Sequence, residues 1–384
     1  MMLSIIKMKK LIRITTVDFA QSDYMKGQNK YMSQYFEVIG AASDTGVLEE
    51  VAKNEGVRMV NIPMRRNMAP LHDLWCILKF YQLFKREKPN IVNSNSPKSS
   101  LLSMIAAKMA GVPHRIYTVS GLRYQTASGL SRWLLMTSEK IACKAANIVI
   151  PEGNGVMKSL INDGITNKEM HVIHHGNING VNVDYYNKDQ ADCSDLRDNL
   201  HIDEDDFVFV FVGRIVRDKG INELAEAMQR ISSTYKKVKL LLVGDFEPLY
   251  GPLKPENDRF LKEDNHVVYA GYVKDVRPYF AISDVLVFPS YREGFPNVVL
   301  QAGAMELPSI VTDINGSNEI IEDGFNGKII PAHDTTALYD MMVWFIDHHK
   351  IIAEMGIHAR EKVEIDFKQS DVWNAWKDFY QSLD

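Results

Sequence analysis

The 384-residue chain reads as an α/β protein of two successive parallel-sheet domains facing across a cleft. Three observations lead there. Short apolar runs alternate with longer helical stretches, the pattern of βαβ units. The alternation stops at a Gly-, Asn- and Asp-rich loop around 176–187 and then restarts. The length suits two domains at ~150 residues each, and a composition 46% hydrophobic and 24% charged supplies a core for both. Each half is Rossmann-like, and ligands of such sheets lie outside the carboxyl ends of the strands.

The first strand is expected over 11–17 (LIRITTV). Short strands follow over 37–42, 57–62, 91–93 and 115–119, with helices over 73–85 and 99–110 between them. Segments 147–150 and 171–173 close this half. The second half opens on 207–212 (FVFVFV), apolar throughout, as a strand buried on both faces requires. Strands over 240–243, 267–269, 285–288 and 309–311 each lead into a helix. The last helix, 372–383, sets Trp373, Trp376 and Tyr380 at helical spacing. The domains expected are 1–180, 181–365 and a terminal helix over 366–384 that packs back on the first.

Composition narrows the function. The three cysteines (Cys76, Cys143, Cys193) are scattered and form no CxxC pair, so a cysteine-built zinc or redox site is excluded. His171, His174 and His175 have no Cys or carboxylate at metal spacing and read as loop residues. No apolar run approaches the ~18 residues of a spanning helix. Met1–Ile6 is apolar but precedes its lysines, the reverse of a secretory signal, and Met8 is a plausible start. The net charge of −5 hides an asymmetry. Residues 1–180 carry 23 Lys+Arg against 13 Asp+Glu, and the remainder 21 against 36. A basic half attracts phosphates or an anionic membrane surface.

Two segments carry chemistry. In Phe211-Val212-Gly213-Arg214-Ile215-Val216-Arg217-Asp218-Lys219-Gly220 an apolar strand ends in Gly213-Arg214, and Lys219-Gly220 opens a helix. Arginine grips phosphate bidentately, lysine adds a point charge, and a helix start offers free N–H groups. In Pro289-Ser290-Tyr291-Arg292-Glu293-Gly294-Phe295-Pro296-Asn297-Val298-Val299-Leu300-Gln301 a carboxylate stands in a Gly/Pro turn before a helix. It can accept from sugar hydroxyls, or simply cap that helix.

Together these segments resemble the retaining glycosyltransferases of family 4, which have the GT-B fold. Residues 309–321 (SIVTDINGSNEII) add to the likeness. Lys26-Gly27-Gln28, Lys88-Pro89-Asn90-Ile91-Val92 and Tyr117-Thr118-Val119-Ser120-Gly121-Leu122-Arg123-Tyr124 are similar to the branch that builds capsule, lipopolysaccharide and glycan-carrier intermediates. The resemblance implies that Arg214 and Lys219 hold the donor diphosphate, and that Glu293 contacts the donor sugar. Gly213, Gly294, Phe295, Pro296, Asn297 and Val298 would line the donor through their main chain. Main chain near 271–274, Val273 among it, would meet the base. Gln301 stands where the family's E-x₇-E motif has its second glutamate, which binds the ribose. Ser120 stands where many members carry histidine. A loop near Gly27 would lie at the mouth between donor and acceptor.

The implied reaction is transfer of a sugar, with retention, from a nucleotide donor (UDP-linked) to a lipid-linked saccharide, with cations and helix ends in place of a metal and no cofactor. The place implied is cytoplasmic, peripheral at the inner membrane. Helical stretches 74–88 and 130–144, apolar with basic residues, suit a membrane face or a core. The Ser120 and Gln301 departures motivate an alternative, a catalytically weak nucleotide-sugar-binding or partner subunit. A nicotinamide enzyme would need GxGxxG after the first strand, where Thr15-Thr16-Val17-Asp18-Phe19 has no glycine. Gly153-Asn154-Gly155 lacks the third glycine. No aromatic-interleaved basic motif points to nucleic acid.

Overall fold

A computed structural model describes residues 8–65 and 67–384; the reading of Met1–Lys7 lies outside them. The chain divides into two compact units. Unit 1 comprises residues up to Gly180 together with Ser370–Asp384, and unit 2 is Val181–Gln369.

Unit 1 is built on six parallel strands: β1 (Lys10–Val17), β2 (Glu37–Ser43), β3 (Arg58–Asn61), β4 (Ile91–Ser94), β5 (His114–Val119) and β6 (Ile148–Pro151). Their order is β3-β2-β1-β4-β5-β6. Successive side chains of a strand point to opposite faces, and the core follows that rule. Leu11, Ile91, Ile116 and Ile150 join one cluster, while Ile12, Val92, Tyr117 and Val149 join another. Helices Pro70–Glu87, Pro97–Ala110 and Gly129–Ala145 cover the second face and pack side by side in that order. The first face is covered by the C-terminal helix Gln369–Ser382, whose Val372, Trp376 and Tyr380 lie at i, i+4 and i+8 and are buried. The Asn93 amide donates to the Tyr380 hydroxyl at 2.6 Å, and the Trp373 indole N–H donates to Asn179 at 2.7 Å.

Unit 2 repeats the plan with β7 (Phe207–Val212), β8 (Val238–Val243), β9 (Val267–Gly271), β10 (Val285–Phe288), β11 (Ser309–Thr312) and β12 (Gly327–Ile330), in the order β12-β11-β10-β7-β8-β9. The inner residues of β7, Val208–Phe211, are buried on both faces, which explains the unbroken apolar run.

Two expectations fail. Segment 171–173 is no strand: Ile173 is buried in the cluster under the C-terminal helix, and the His171 ring meets Phe379 at 5.6 Å. Its buried Ile173 serves packing, and β6 remains the sheet edge. Conversely, β12 was not expected from Gly327-Lys-Ile-Ile. A Cβ at Gly327 would stand 2.3 Å from the Ser309 carbonyl oxygen, so the strand that pairs with β11 must begin with glycine.

Candidate active site

In unit 2 the strand order reverses between β7 and β10, which pair directly (Phe209 with Val285, Val210 with Leu286). Loops leaving adjacent strands at such a point diverge to opposite sides and open a crevice at their carboxyl ends. The two motifs read from the sequence are these two loops.

After β7 the chain runs through Gly213 (φ 147°), Arg214 and the 3₁₀ turn Arg217–Lys219, then Gly220 (φ 71°) and the helix Ile221–Thr234. A Cβ at Gly220 would lie 2.0 Å from the Pro289 carbonyl oxygen, so glycine lets the first loop press on the second. The Tyr291 N–H donates to the Asp218 carbonyl at 3.0 Å. This brings the Lys219 ammonium onto Glu293 Oε1 in an ion pair, with side chains 18% and 17% exposed. The Ser290 hydroxyl donates to the same oxygen at 2.6 Å. Glu293 Oε2 has no hydrogen bond among the described residues. Lys219 Nζ also lies 5.0 Å above the centre of the Phe288 ring.

The helix Asn297–Ala304 follows Pro296. Glu293 does not cap it; its carboxylate is engaged with Lys219 and Ser290. Gly294 is held by Gly316 (φ 76°), where a Cβ would come within 2.4 Å of the Gly294 carbonyl oxygen. The Phe295 ring is a core side chain, 5.3 Å from Phe367, so only its main chain faces outward chemistry. Val298 and Val273 are half-buried against the core of unit 2. Gln301 lies in the second turn of the helix, and its side-chain amide makes no hydrogen bond among the described residues. Arg214 is exposed and pairs with Glu247 at 3.3 Å, not with the Lys219–Glu293 group. Glycines line the ends of β7, β8 and β9: Gly213 N–H donates to Val243 at 2.9 Å and Gly244 N–H to Gly271 at 2.8 Å. Behind them the Tyr291 hydroxyl donates to the Glu223 carboxylate at 2.7 Å, and burial with that charge pushes the phenol well above its usual range.

Unit 1 has its own reversal, between β1 and β4. Asp18 follows β1. Burial works to raise its pKa, but hydrogen bonds from Thr45 Oγ1 (2.6 Å) and the Thr45 and Phe19 N–H groups (2.8 Å each) prevail and lower it. Asn95 follows β4, is 5% exposed, and neither polar atom of its amide has a partner among the described residues. The Ser120 hydroxyl donates to the Asn95 carbonyl at 2.8 Å. Gly27 (φ 79°) donates its N–H to Glu55 at 2.7 Å and faces the Trp373 ring. The sequence reading passed over Ser290, Thr312 and Asn95. Ser290 stood inside the quoted motif, three residues before Glu293, but a lone hydroxyl gives no pattern.

The family model described as "Glycosyl transferases group 1" matches residues 206–348, and "Glycosyltransferase Family 4" matches 31–178. The capsular polysaccharide biosynthesis glycosyltransferase CapM of Staphylococcus aureus is 32% identical over 379 residues, 98% of each chain. The UDP-Gal:alpha-D-GlcNAc-diphosphoundecaprenol alpha-1,3-galactosyltransferase of Escherichia coli is 27% identical over 357 residues, 91% of this chain and 89% of its own. Among solved structures, Anabaena Alr3699/HepE in complex with UDP and glucose superposes with a TM-score of 0.82 at 17% identity, covering 98% of this chain and 100% of its own. The sucrose-phosphate synthase of Thermosynechococcus elongatus gives 0.80 at 20% identity, covering 98% and 99%. These two likenesses concern the fold. Matched in both halves and related to CapM along nearly its whole length, the chain belongs to the family 4 glycosyltransferases and has their GT-B fold.

Proposed function

We propose that this glycosyltransferase moves a hexose or N-acetylhexosamine, with retention, from a UDP-sugar to a lipid-linked saccharide in surface-polysaccharide assembly. The observation that carries the reading is the meeting of Lys219 and Glu293 at the reversal point of unit 2, a cation and a carboxylate side by side at the mouth of a Rossmann-like sheet. The relatives support the donor and acceptor classes: one by name uses UDP-Gal and a diphosphoundecaprenol-linked sugar, and one neighbour holds UDP and glucose.

In this reading Lys219 and Arg214 neutralise the diphosphate. Glu293 Oε2, without a hydrogen bond among the described residues, accepts from a sugar hydroxyl and supports positive charge at the anomeric carbon. The bond from that carbon to the diphosphate oxygen breaks, and the acceptor oxygen bonds to the same face. The departing phosphate oxygen takes the acceptor's proton. Catalysis is then mainly electrostatic, through charges fixed before the reaction. The main chain of Gly213 and of 294–298 lines the donor, Val273 lies toward the base and Gln301 toward the ribose. The Asn95 amide, buried and unpartnered, suits an acceptor hydroxyl, because a buried amide without a partner is costly.

A membrane-facing role for unit 1 rests on two helices. Pro70–Glu87 exposes Leu71, Leu74, Trp75 and Leu78 beside Lys79, and Gly129–Ala145 exposes Leu130, Trp133 and Ile141. No helix among the described residues is long and apolar enough to cross a membrane, so contact would be peripheral, from the cytoplasmic side.

Calorimetry against UDP-, GDP-, ADP- and dTDP-sugars tests the donor site. UDP-sugars should bind selectively. Lys219→Ala should weaken binding and slow transfer ~10²–10³-fold. Failure of every UDP-sugar to bind would overturn the reading. Binding without transfer to any lipid-linked acceptor would instead indicate a partner subunit, as the Gln301 and Ser120 departures suggest.

A further inference from the structure

Glu293 has to serve two partners in turn if the proposed donor site is right, and the inference below rests on that reading. Its Oε1 receives the Lys219 ammonium and the Ser290 hydroxyl. A diphosphate draws Lys219 toward itself. A carboxylate held by lysine alone would then swing, and its free oxygen would leave the place where a sugar needs it.

Ser290 is built so as not to move. It is wholly buried and follows β10 by two residues. Its carbonyl accepts the hydroxyl of Thr312, the last residue of β11, the strand beside β10. The next residue, Tyr291, is tied by its N–H to Asp218 of the facing loop. The Ser290 hydroxyl has one proton and three oxygens in reach: Glu293 Oε1 at 2.6 Å, the Arg292 carbonyl at 3.3 Å and the Asp218 carbonyl at 3.4 Å. The charged and nearest acceptor takes it.

We propose that Ser290 is the positioning residue of Glu293, its hydroxyl fixing Oε1 while Lys219 turns to the donor diphosphate, so that Oε2 stays presented to the sugar. It touches no substrate itself. Thr312 and the β10–β11 pairing act one step behind it.

The test is a double-mutant cycle of wild type, Ser290→Ala, Glu293→Ala and the double variant. The readouts are UDP affinity by calorimetry and UDP release from UDP-glucose, UDP-galactose and UDP-GlcNAc, with a GlcNAc-diphosphoundecaprenol acceptor. Ser290→Ala should leave UDP affinity within about 2-fold and lower kcat roughly 10- to 100-fold, the span expected when one hydrogen bond to a charged group is lost. In the Glu293→Ala background, where Ser290 has no side chain to hold, the same change should cost no more than about 2-fold, because a residue that acts through another adds nothing once that other is removed. A purely structural role would give additive losses at both backgrounds. Wild-type kcat in Ser290→Ala, or additivity, overturns the proposal and leaves the donor site standing. Undiminished kcat in Glu293→Ala, or no binding of UDP by wild type, removes the donor-site reading and this proposal with it; binding of UDP without its release from any of the three donors overturns the proposal alone. If Ser290→Ala does not fold, Ser290→Cys, close in size and a poorer donor, should give a smaller loss with the same non-additivity.

Discussion

At the residue scale, Gly220 and Pro289 lie back to back, and the distance between them sets the Lys219–Glu293 contact. A methyl group at Gly220 would meet a backbone carbonyl at 2.0 Å, and the residue sits at φ 71°. The left-handed conformation costs a substituted residue about 1–2 kcal/mol, and a clash with immovable backbone costs ~1–3 kcal/mol more. Gly220→Ala should therefore lower stability by at least ~2 kcal/mol and weaken UDP binding, both readable by thermal unfolding with and without UDP; unchanged curves would contradict it. The same contact shows what a sequence can and cannot display. Lys219 and Glu293 were legible because each follows an apolar strand at a turn, where charge has a local reason to be. Ser290 and Thr312 were not, because their hydrogen bonds join β10 to β11 and depend on a pairing that no local pattern reports. Arg214 was legible as a cation, yet its Glu247 partner, on the loop after β8, was not.

At the scale of elements, the helix Gly129–Ala145 combines a wet apolar face with an ionisable inner one. Glu139 is buried against Tyr117, whose hydroxyl donates to it at 2.6 Å. Burial pushes its carboxyl up to about 7, and the Tyr117 hydrogen bond pulls the other way without prevailing. The folded protein thus keeps a proton that the unfolded chain releases near 4.5. Stability should fall as pH rises from about 4.5 to about 7 and stay level above that, by an amount on the order of 3 kcal/mol. Glu139→Gln keeps an acceptor for Tyr117 and abolishes the charge. Urea unfolding should find it more stable than wild type at pH 8 and equal to it near pH 4.5; equal curves at pH 8 would refute the assignment. Helices of this length, and strands as apolar as β7, were plain in the sequence, because periodicity accumulates over many residues. Strand β12 was not, because half of its four residues are Gly327 and Lys328, which speak against a strand.

For the whole molecule, the asymmetry of charge follows the division into units: the basic segment falls in unit 1 and the acidic remainder mostly in unit 2. The three-helix layer of unit 1 adds exposed Leu71, Trp75 and Trp133 to that positive field. If this layer meets lipid, the protein should float with vesicles containing anionic phosphatidylglycerol and not with neutral ones. Trp75→Ser with Trp133→Ser should reduce binding at least about 10-fold, and salt should weaken it as it screens the field. Equal binding of the double variant would place the contact elsewhere. Two domains and a terminal helix were readable because the strand–helix alternation restarts; the charge division was a matter of counting.

The return of the last helix to unit 1 also has a meaning in time. A ribosome finishes residue 180 and must then make all of Val181–Gln369 before Trp376 and Tyr380 emerge. At 5–20 residues per second this takes roughly 10–40 s. Throughout that interval Leu11, Phe36 and Ile116 lack their cover, and the Asn93 amide lacks the Tyr380 hydroxyl. Until Trp376 and Tyr380 are made, the nascent first unit leaves one apolar face of its sheet uncovered.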